Sequence, residues 1–201
     1  MIKISLSGKA GVGKDTVANI FTQILNDKEH NCAKIAFADP IKEIISIMFP
    51  DYDYNSLYGD SNLRSNIIPD AYKDGLPLTW RQALLDIGTG IGRKYKESMW
   101  LDVFEHRVKE AILKDSSARF GLPEIAIINP DLRFTNEFYK VKSLGFKTIR
   151  IKRHTDYTIN HVSETQQEEI LDNQFDCVIN NNSDIDYLRS CCLNIINNWD
   201  K

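Results

Sequence analysis

The strongest chemical signal in the sequence is a glycine-rich run near the N-terminus, within MIKISLSGKAGVGKDTVANIF. Gly8 is followed by four residues and then by the pair Gly13-Lys14, which is the spacing of a phosphate-binding loop. Glycines let the backbone approach phosphate oxygens, amides at a helix start donate hydrogen bonds, and the lysine reaches the terminal phosphates. The residues expected around the phosphates are Gly8, Lys9, Gly11, Val12, Gly13, Lys14, Asp15 and Thr16.

The residue after Lys14 is unusual, because a phosphate-binding loop normally offers Ser or Thr to a magnesium ion at that position. This chain has Asp15 there, followed by Thr16. Magnesium often keeps several waters, so Asp15 could organise the ion through a water molecule; direct ligation would place a negative charge near the phosphates. Alternatively, Asp15 caps the first turn of the helix and contacts no metal.

Composition limits the function classes. The chain has 25 Lys and Arg residues against 28 Asp and Glu, a net charge of -3, so no general basic surface indicates a nucleic-acid partner. No apolar run approaches the roughly 20 residues that cross a bilayer, and we expect a soluble, cytoplasmic protein without a membrane partner. The four cysteines show no C-x-x-C spacing, and the histidines form no ligand pattern.

Apolar periodicity predicts strands that alternate with helices. The first strand, 2–6, precedes the glycine-rich loop, and a helix follows the loop. The run AKIAFA predicts a second strand over 33–38, after which Asp39-Pro40 opens another helix. Further strands are predicted at 124–129, 147–152 and 177–179, with helices at 136–144 and near the C-terminus.

The segment 50–77 differs from the rest in composition. It is rich in Asp, Tyr, Asn, Ser and Gly, which favours a long loop or a short helical excursion over a sheet. Thr79 could cap a helix that begins at Trp80, with Gly88-Thr89-Gly90 disturbing its far end, and another helix is predicted over 100–113. These elements predict a helical substrate region.

Strands separated by helices predict a parallel sheet with helices on both faces, because parallel strands need crossover connections. Ligands bind at the carboxyl ends of the strands in such sheets. We expect residues 1–201 to form one domain, with a substrate-binding excursion at about 50–116 and a lid at about 153–170.

Several polar residues follow predicted strands or lie at helix starts. Arg81 and Arg93 flank the glycine break, and a guanidinium fork suits a phosphate dianion, although isolated helix arginines are usually solvated. Asp39 and Lys42 could meet a substrate; alternatively, Asp39 is an N-cap and Lys42 faces solvent.

The segment NPDLRFTNE carries Asp131 and Arg133 just after an apolar strand, with Glu137 at the next helix start. Asp131 could contact a metal, water or a substrate hydroxyl, or else both acids cap the helix. Arg150 and Arg153 precede a polar segment and could close over phosphates; alternatively, they form a basic strand end.

The ordered segments GKAGVGKDT, FADPIK, WRQALLDIGTGIGR with a following MWLD, NPDLRFTNE, HVSE and VINNNSDIDYL resemble those of tailed-bacteriophage deoxynucleoside monophosphate kinases. The resemblance covers nearly the whole chain except 50–77. It implies an α/β, three-layer P-loop kinase fold and transfer of the ATP γ-phosphate to a deoxynucleoside monophosphate. Aspartate after the loop lysine is usual in this family, so Asp15 is no evidence of an inactive site.

The resemblance also implies roles for individual residues. Lys14, Asp15 and Thr16 belong to an ATP–magnesium site, Arg150 and Arg153 match lid cations, and Asn180 or Asn181 lies near adenine. By the resemblance, the acceptor contacts are Lys42, Arg81, Trp100, Asp131, Arg133 and Glu137, although a tryptophan such as Trp100 is more often core than base-stacking. Asp39, Gly88 and Arg93 are further acceptor contacts that we expect from their positions in the sequence. Lys14, Arg81, Asp131 and Arg133 are the residues expected to act in catalysis. Two departures, Asp86 in place of glutamine and Gly90 in place of an acid, bear on base preference.

We therefore expect a kinase that uses ATP and Mg²⁺ on a small-molecule acceptor, in the host cytoplasm if phage-encoded, and a homodimer is compatible with the sequence. One alternative is a P-loop kinase of another phosphorylated acceptor, such as phosphomevalonate or dephospho-coenzyme A. The other is a nucleotide-binding regulatory module that transfers no phosphate.

Overall fold

A computed structural model of the chain describes residues 1–116, 120–121, 124–153, 166–167 and 169–199. Its strands are β1 (Ile2–Ser7), β2 (Cys32–Lys34), β3 (Ile67–Lys73), β4 (Leu76–Thr79), β5 (Ala126–Leu132), β6 (Lys147–Lys152) and β7 (Cys177–Asn180). Its helices are α1 (Lys14–Asp27), α2 (Asp39–Met48), α3 (Tyr54–Tyr58), α4 (Trp80–Leu85), α5 (Arg93–Tyr95), α6 (Met99–Lys114), α7 (Thr135–Ser143) and α8 (Ile185–Trp199). A π-helical segment, Asp86–Gly92, joins α4 to α5.

The chain divides into two compact units. The larger unit comprises Met1–Ala36 and Phe104–Lys201, and the smaller unit comprises Phe37–Val103. The predicted excursion at about 50–116 falls mostly within the smaller unit. The expectation of one kinase domain stays a prediction.

The larger unit is built on a five-stranded sheet in the order β2-β5-β1-β6-β7, in which every neighbouring pair is parallel. The connection from β1 to β2 crosses the sheet in one direction, and the connection from β5 to β6 crosses it in the other. Because such crossovers are right-handed, their helices α1 and α7 lie on opposite faces of the sheet. The predicted three-layer α/β fold with a central parallel sheet is confirmed.

The core of the larger unit follows from the apolar periodicity of α1. Val17, Phe21 and Ile24 recur at helical spacing and pack against Ile4 and Leu6 of β1. α8 contributes Leu188, Cys192 and Ile196 to the same cluster. Each fully buried Leu, Ile or Phe side chain stabilises the fold by about 1.5–3 kcal/mol, so this cluster fixes β1 and α1 on either side of the glycine-rich loop.

Two predicted elements differ from the structure. The second strand was expected over 33–38, but β2 ends at Lys34, and the Ile35 amide makes one further bond to the Ile128 carbonyl oxygen at 3.0 Å. The segment 50–77 was expected to form a long loop or a short helical excursion rather than sheet. It does contain the short helix α3, but the preference against sheet is wrong, because β3 and β4 pair as an antiparallel hairpin. Its turn is Asp74-Gly75, with φ of 52° and 78°, a left-handed pair that suits a two-residue hairpin.

The helix α4 begins at Trp80, the residue at which the sequence predicted its start. The Thr79 hydroxyl oxygen accepts a hydrogen bond from the Gln82 amide at 3.2 Å, so Thr79 is the predicted N-cap. The glycines beyond it do disturb the helix, which widens into the π-helical segment Asp86–Gly92. Within the described parts of the chain, none of the helices has the length and apolar character needed to span a membrane.

Candidate active site

The glycine-rich loop connects the carboxyl end of β1 to the N-terminus of α1. Gly8, Gly11 and Gly13 all have positive φ, and Gly13 is the left-handed N-cap of α1. A side chain at Gly8 would place its Cβ 2.5 Å from the Ile151 carbonyl oxygen. Only glycine fits there, so the loop lies directly against the end of β6, with its amides at a helix start.

Asn181, just after β7, holds the loop from the other side. Its side-chain amide donates to the Val12 carbonyl oxygen at 2.9 Å, and its own backbone amide donates to the Lys152 carbonyl oxygen at 2.7 Å. A Cβ at Gly13 would lie 2.6 Å from Asn181 Nδ2, so the contact requires glycine at that position. Asn181 is buried, whereas Asn180 is exposed. The sequence named both near adenine but did not anticipate this support of the loop.

The Lys14 ammonium is held over the loop. Its Nζ donates to the carbonyl oxygens of Gly8 at 2.6 Å and Lys9 at 2.8 Å, and the residue is only 9 % exposed. The cation therefore sits beside the backbone that the sequence assigned to phosphate binding. Asp15 and Thr16 are exposed on the first turn of α1. The N-cap residue, Gly13, has no side chain that could cap the helix.

The carboxyl end of β5 carries the Asp131–Arg133 segment. Asn129 donates from Nδ2 to the Ser5 hydroxyl oxygen at 2.9 Å, and its Oδ1 accepts from the Asp131 amide at 3.2 Å. The neighbouring strand β1 thus fixes the backbone at Asp131. Asp131 and Arg133 are both half-buried.

Glu137 has the capping geometry that the sequence left open. Its Oε2 accepts from the backbone amides of Arg133 at 2.9 Å and Phe134 at 3.1 Å, and the side chain is buried. These two amides lie at the start of α7, where a carboxylate also interacts favourably with the helix dipole. The contact fixes the backbone that carries Arg133.

Arg150 points back into its own unit. Its Nη2 donates to the carbonyl oxygens of Gln167 and Ile170, both at 2.9 Å, and its guanidinium carbon lies 4.3 Å from the Phe175 ring centroid. These contacts connect Gln167 and Ile170 to β6. Most of the predicted lid, 154–165 and 168, lies outside the described residues.

Arg153 is exposed and lies on the rim of a depression beside the loop. Gly13, Thr16, Asn181 and Ser183 line the same depression, together with the start of α8. A guanidinium group, backbone groups of the loop and small polar side chains therefore meet at the carboxyl edge of the sheet, where ligands of such sheets bind.

In the smaller unit, Arg81 is fixed by its Nη2 bond to the Ser61 carbonyl oxygen at 2.9 Å. The Lys42 ammonium lies 4.8 Å from the centroid of the Tyr58 ring, a cation–π distance. Burial raises the pKa of Tyr58, and neighbouring acidic groups such as Glu43 and Asp39 act in the same direction. Tyr58 therefore stays neutral, and its ring face remains a partner for the lysine. Asp39 and Arg93 are half-buried in the same unit.

Trp100 is a core residue of the smaller unit. It is 4 % exposed, and its Nε1 donates to the Gly88 carbonyl oxygen at 2.7 Å inside the π-helical segment. A Cβ at Gly92 would approach the indole ring to 2.3 Å, and one at Gly88 would lie 3.0 Å from Ile41 Cδ1. The two glycines therefore make room for packing, and Trp100 supports the segment that carries Asp86.

The loop fits a polyphosphate, because glycine is sterically required at Gly8 and Gly13 and a lysine ammonium lies over its backbone. Among the described residues, no group of three or more His, Cys, Asp and Glu side chains is placed to hold a metal ion. A magnesium ion at Asp15 and Thr16 would therefore depend on phosphate oxygens and waters for most of its ligands.

The fold and loop define the class of protein as an α/β protein with a P-loop kinase architecture. The solved structure of shikimate kinase from Aquifex aeolicus is similar in fold, with a TM-score of 0.50 at 12 % identity over 98 % of this chain and 97 % of that protein. No family model matches the chain.

Two viral proteins are similar in sequence to this chain along most of its length. One is a protein of Acanthamoeba polyphaga mimivirus described as a deoxynucleotide monophosphate kinase, 28 % identical over 98 % of this chain and 97 % of the viral protein. The other is the deoxynucleoside-5'-monophosphate kinase of Escherichia phage T5, 25 % identical over 68 % of this chain and 70 % of the phage protein. The resemblance to viral deoxynucleoside monophosphate kinases is thereby confirmed.

Proposed function

We propose that the protein is a magnesium-dependent deoxynucleoside monophosphate kinase, which transfers the γ-phosphate of ATP to a deoxynucleoside monophosphate and releases ADP. The observation that carries the proposal is the loop from Gly8 to Thr16, where glycine is sterically required and the Lys14 ammonium is held at the loop backbone. The two viral relatives support the choice of a nucleoside monophosphate as acceptor.

In this proposal the larger unit binds ATP. The loop amides and Lys14 bind the phosphates of ATP, and Asp15 and Thr16 lie next to the magnesium ion. The depression rimmed by Arg153 takes the nucleoside, with Ser183 as a polar neighbour, and Asn180 is proposed to lie near the adenine. Asn181 acts through the loop, because its amide is already committed to the Val12 carbonyl oxygen.

The residues proposed to bind the acceptor nucleotide come from both units. In the smaller unit, Arg81, Lys42 and Arg93 supply positive charge, and Asp39 supplies a carboxylate. In the larger unit, Arg133 is proposed to neutralise phosphate charge during transfer, and Asp131 to orient the acceptor or the metal. Glu137, Arg150 and Trp100 receive positioning roles instead. Glu137 and Trp100 are buried and bond to backbone groups of their own units. Arg150 donates to two backbone carbonyl oxygens and packs on the Phe175 ring.

Phosphoryl transfer requires the protein mainly to position the two substrates and to neutralise negative charge on the phosphates. A phosphate acceptor is already anionic, so no strong general base and no covalent enzyme intermediate are needed. Lys14 and Arg133 would stabilise charge on the transferring phosphoryl group, and removal of one such contact typically lowers kcat by about 10²–10³-fold. Bound magnesium would supply further neutralisation of the phosphate oxygens.

An acceptor screen with labelled ATP tests the proposal. Formation of a labelled diphosphate from at least one of dGMP, dTMP, dCMP and dAMP supports it. Labelling of phosphomevalonate or dephospho-coenzyme A alone would assign a different P-loop kinase. ATP binding without transfer to any acceptor would leave a regulatory nucleotide-binding module and overturn the proposal.

A further inference from the structure

Three polar side chains in the smaller unit form a group that the proposed function has not used. Asp86, the first residue of the π-helical segment, accepts at Oδ1 from Lys73 Nζ at 2.6 Å and from Gln82 Nε2 at 2.8 Å. Gln82 lies one helical turn before Asp86, and Lys73 reaches the pair from the end of β3. We call these residues the Lys73–Gln82–Asp86 cluster.

The cluster retains acceptor capacity. Among the described residues, Asp86 Oδ2 and Gln82 Oε1 accept no hydrogen bond. The Asp86 side chain is 32 % exposed and that of Lys73 is 44 % exposed, so a ligand can reach both. The group therefore presents two oxygen acceptors beside an ammonium that has further N–H donors.

We propose that the Lys73–Gln82–Asp86 cluster reads the base of the acceptor nucleotide and selects guanine; this inference rests on the proposed function. Guanine presents two adjacent donors, N1–H and the 2-amino group, next to the acceptor O6. Asp86 and Gln82 accept from the two donors, and Lys73 donates to O6.

The other bases fit the cluster less well. Adenine and cytosine each place a ring-nitrogen lone pair where guanine has N1–H, and a carboxylate repels that lone pair. Thymine offers a single N–H between two carbonyl oxygens and leaves one of the two acceptors without a donor. A site that hydrogen-bonds one substrate discriminates against analogues that leave its polar groups unpaired.

The position along the chain suits a base-reading role. Asp86 follows Arg81, the proposed acceptor-phosphate residue, by five positions, and the helix α4 that carries Arg81 and Gln82 runs directly into the π-helical segment that begins at Asp86. A purely structural role explains less, because a partly exposed ion pair contributes little to stability.

A comparison of dGMP with dIMP, which lacks only the 2-amino group, tests the cluster. In the wild-type protein we expect kcat/KM to favour dGMP over dIMP by about 10- to 100-fold, with dGMP the best of the four natural acceptors. Asp86→Asn should bring the ratio close to one, because an amide N–H would face the guanine donors. Asp74→Asn is the control, because it removes one negative charge from the turn of the hairpin that carries Lys73. Asparagine tolerates the φ of 52° at this position, and the variant should keep the wild-type dGMP-to-dIMP ratio.

Equilibrium binding of dGMP and dIMP to the same three proteins gives a readout that does not require transfer. Equal dGMP-to-dIMP ratios in the wild type and Asp86→Asn, in kinetics and in binding, would overturn the inference, as would a wild-type preference for dTMP or dCMP. Transfer to other acceptors in that case would leave the proposed function standing. Failure of the proposed function would instead appear as no transfer to any of the four nucleotides by folded, ATP-binding protein.

Discussion

The side-chain amide of Asn181 donates to the Val12 carbonyl oxygen at 2.9 Å, which joins the segment after β7 to the phosphate-binding loop. The two residues are 169 positions apart in the chain. The bond satisfies a backbone acceptor inside the loop, and it lies where Gly13 leaves room for it. The loop is therefore supported by the sheet edge as well as by its own glycines.

Replacement of Asn181 by alanine should weaken both the fold and ATP use. Loss of this buried hydrogen bond is expected to lower the free energy of unfolding by about 1–2 kcal/mol. The displaced loop should lower kcat/KM for ATP by roughly tenfold. Urea denaturation and steady-state kinetics measure the two effects. Asn180→Ala is the matched control, because its exposed side chain should leave the unfolding free energy unchanged; wild-type behaviour of Asn181→Ala in both assays would contradict the role.

Asp15 should control the magnesium requirement. Its carboxylate is exposed on the first turn of α1, next to the loop lysine, where a metal bound to the phosphates could reach it. Asp15→Ala is expected to need more free magnesium for half-maximal activity, and Asp15→Ser should recover much of the normal response. If Asp15→Ala loses thermal stability but keeps the wild-type magnesium curve, Asp15 stabilises the helix end and contacts no metal.

Arg81 and Arg133 should each matter for the acceptor. If their charged contacts tighten during transfer, alanine at either position should cost about 2–4 kcal/mol in transition-state stabilisation, measured as kcat/KM for the acceptor. Arg189→Ala is the control, since Arg189 bonds Gln23 Oε1 at 2.8 Å between the helices α8 and α1. Unchanged acceptor kcat/KM in both Arg81→Ala and Arg133→Ala would assign the two arginines to structure.

Asp176 should contribute a pH-dependent part of the stability. Burial acts to raise the pKa of Asp176, but hydrogen bonds from the Thr148 amide and hydroxyl, both at 2.8 Å to Oδ2, outweigh it and hold the pKa below its ordinary value of 3.8. A depressed folded-state pKa stabilises the fold above the unfolded-state value, and this contribution is lost as the pH falls through the folded-state value.

The wild type should therefore be more stable than Asp176→Asn by about 1–2 kcal/mol near neutral pH, and the difference should shrink below about pH 4. Unfolding measured from pH 7 to pH 3 shows this directly. Asp172→Asn removes the exposed Lys152 ion pair and should change stability by less than about 1 kcal/mol. A difference between wild type and Asp176→Asn that is independent of pH would contradict the assignment.

Short sequence patterns predicted most of the strands and helices of the larger unit. Gly8, Gly13 and Lys14 form a motif within a few residues, and the α2 start at Asp39-Pro40 follows from residue types alone. The hairpin was missed because Asp, Asn and Gly in 50–77 read as loop, although Asp74-Gly75 is itself a hairpin turn signal.

The residues that hold the site together were harder to predict, because their contacts join distant parts of the chain. Asn181 reaches Val12, and Arg150 reaches the carbonyl oxygens of Gln167 and Ile170. Sequence spacing cannot show which of two adjacent asparagines is buried, or whether an arginine faces a ligand or a backbone carbonyl. Such choices depend on tertiary packing.

The most direct test of the account is the stoichiometry of phosphoryl transfer by the purified, folded protein. With ATP, magnesium and a deoxynucleoside monophosphate, we expect one deoxynucleoside diphosphate and one ADP to form per ATP consumed. Lys14→Met should bring this transfer down by about 10²-fold or more in protein that is still folded at the assay temperature. ADP release that is the same with and without every deoxynucleoside monophosphate, or no release from protein that binds ATP, would contradict the account.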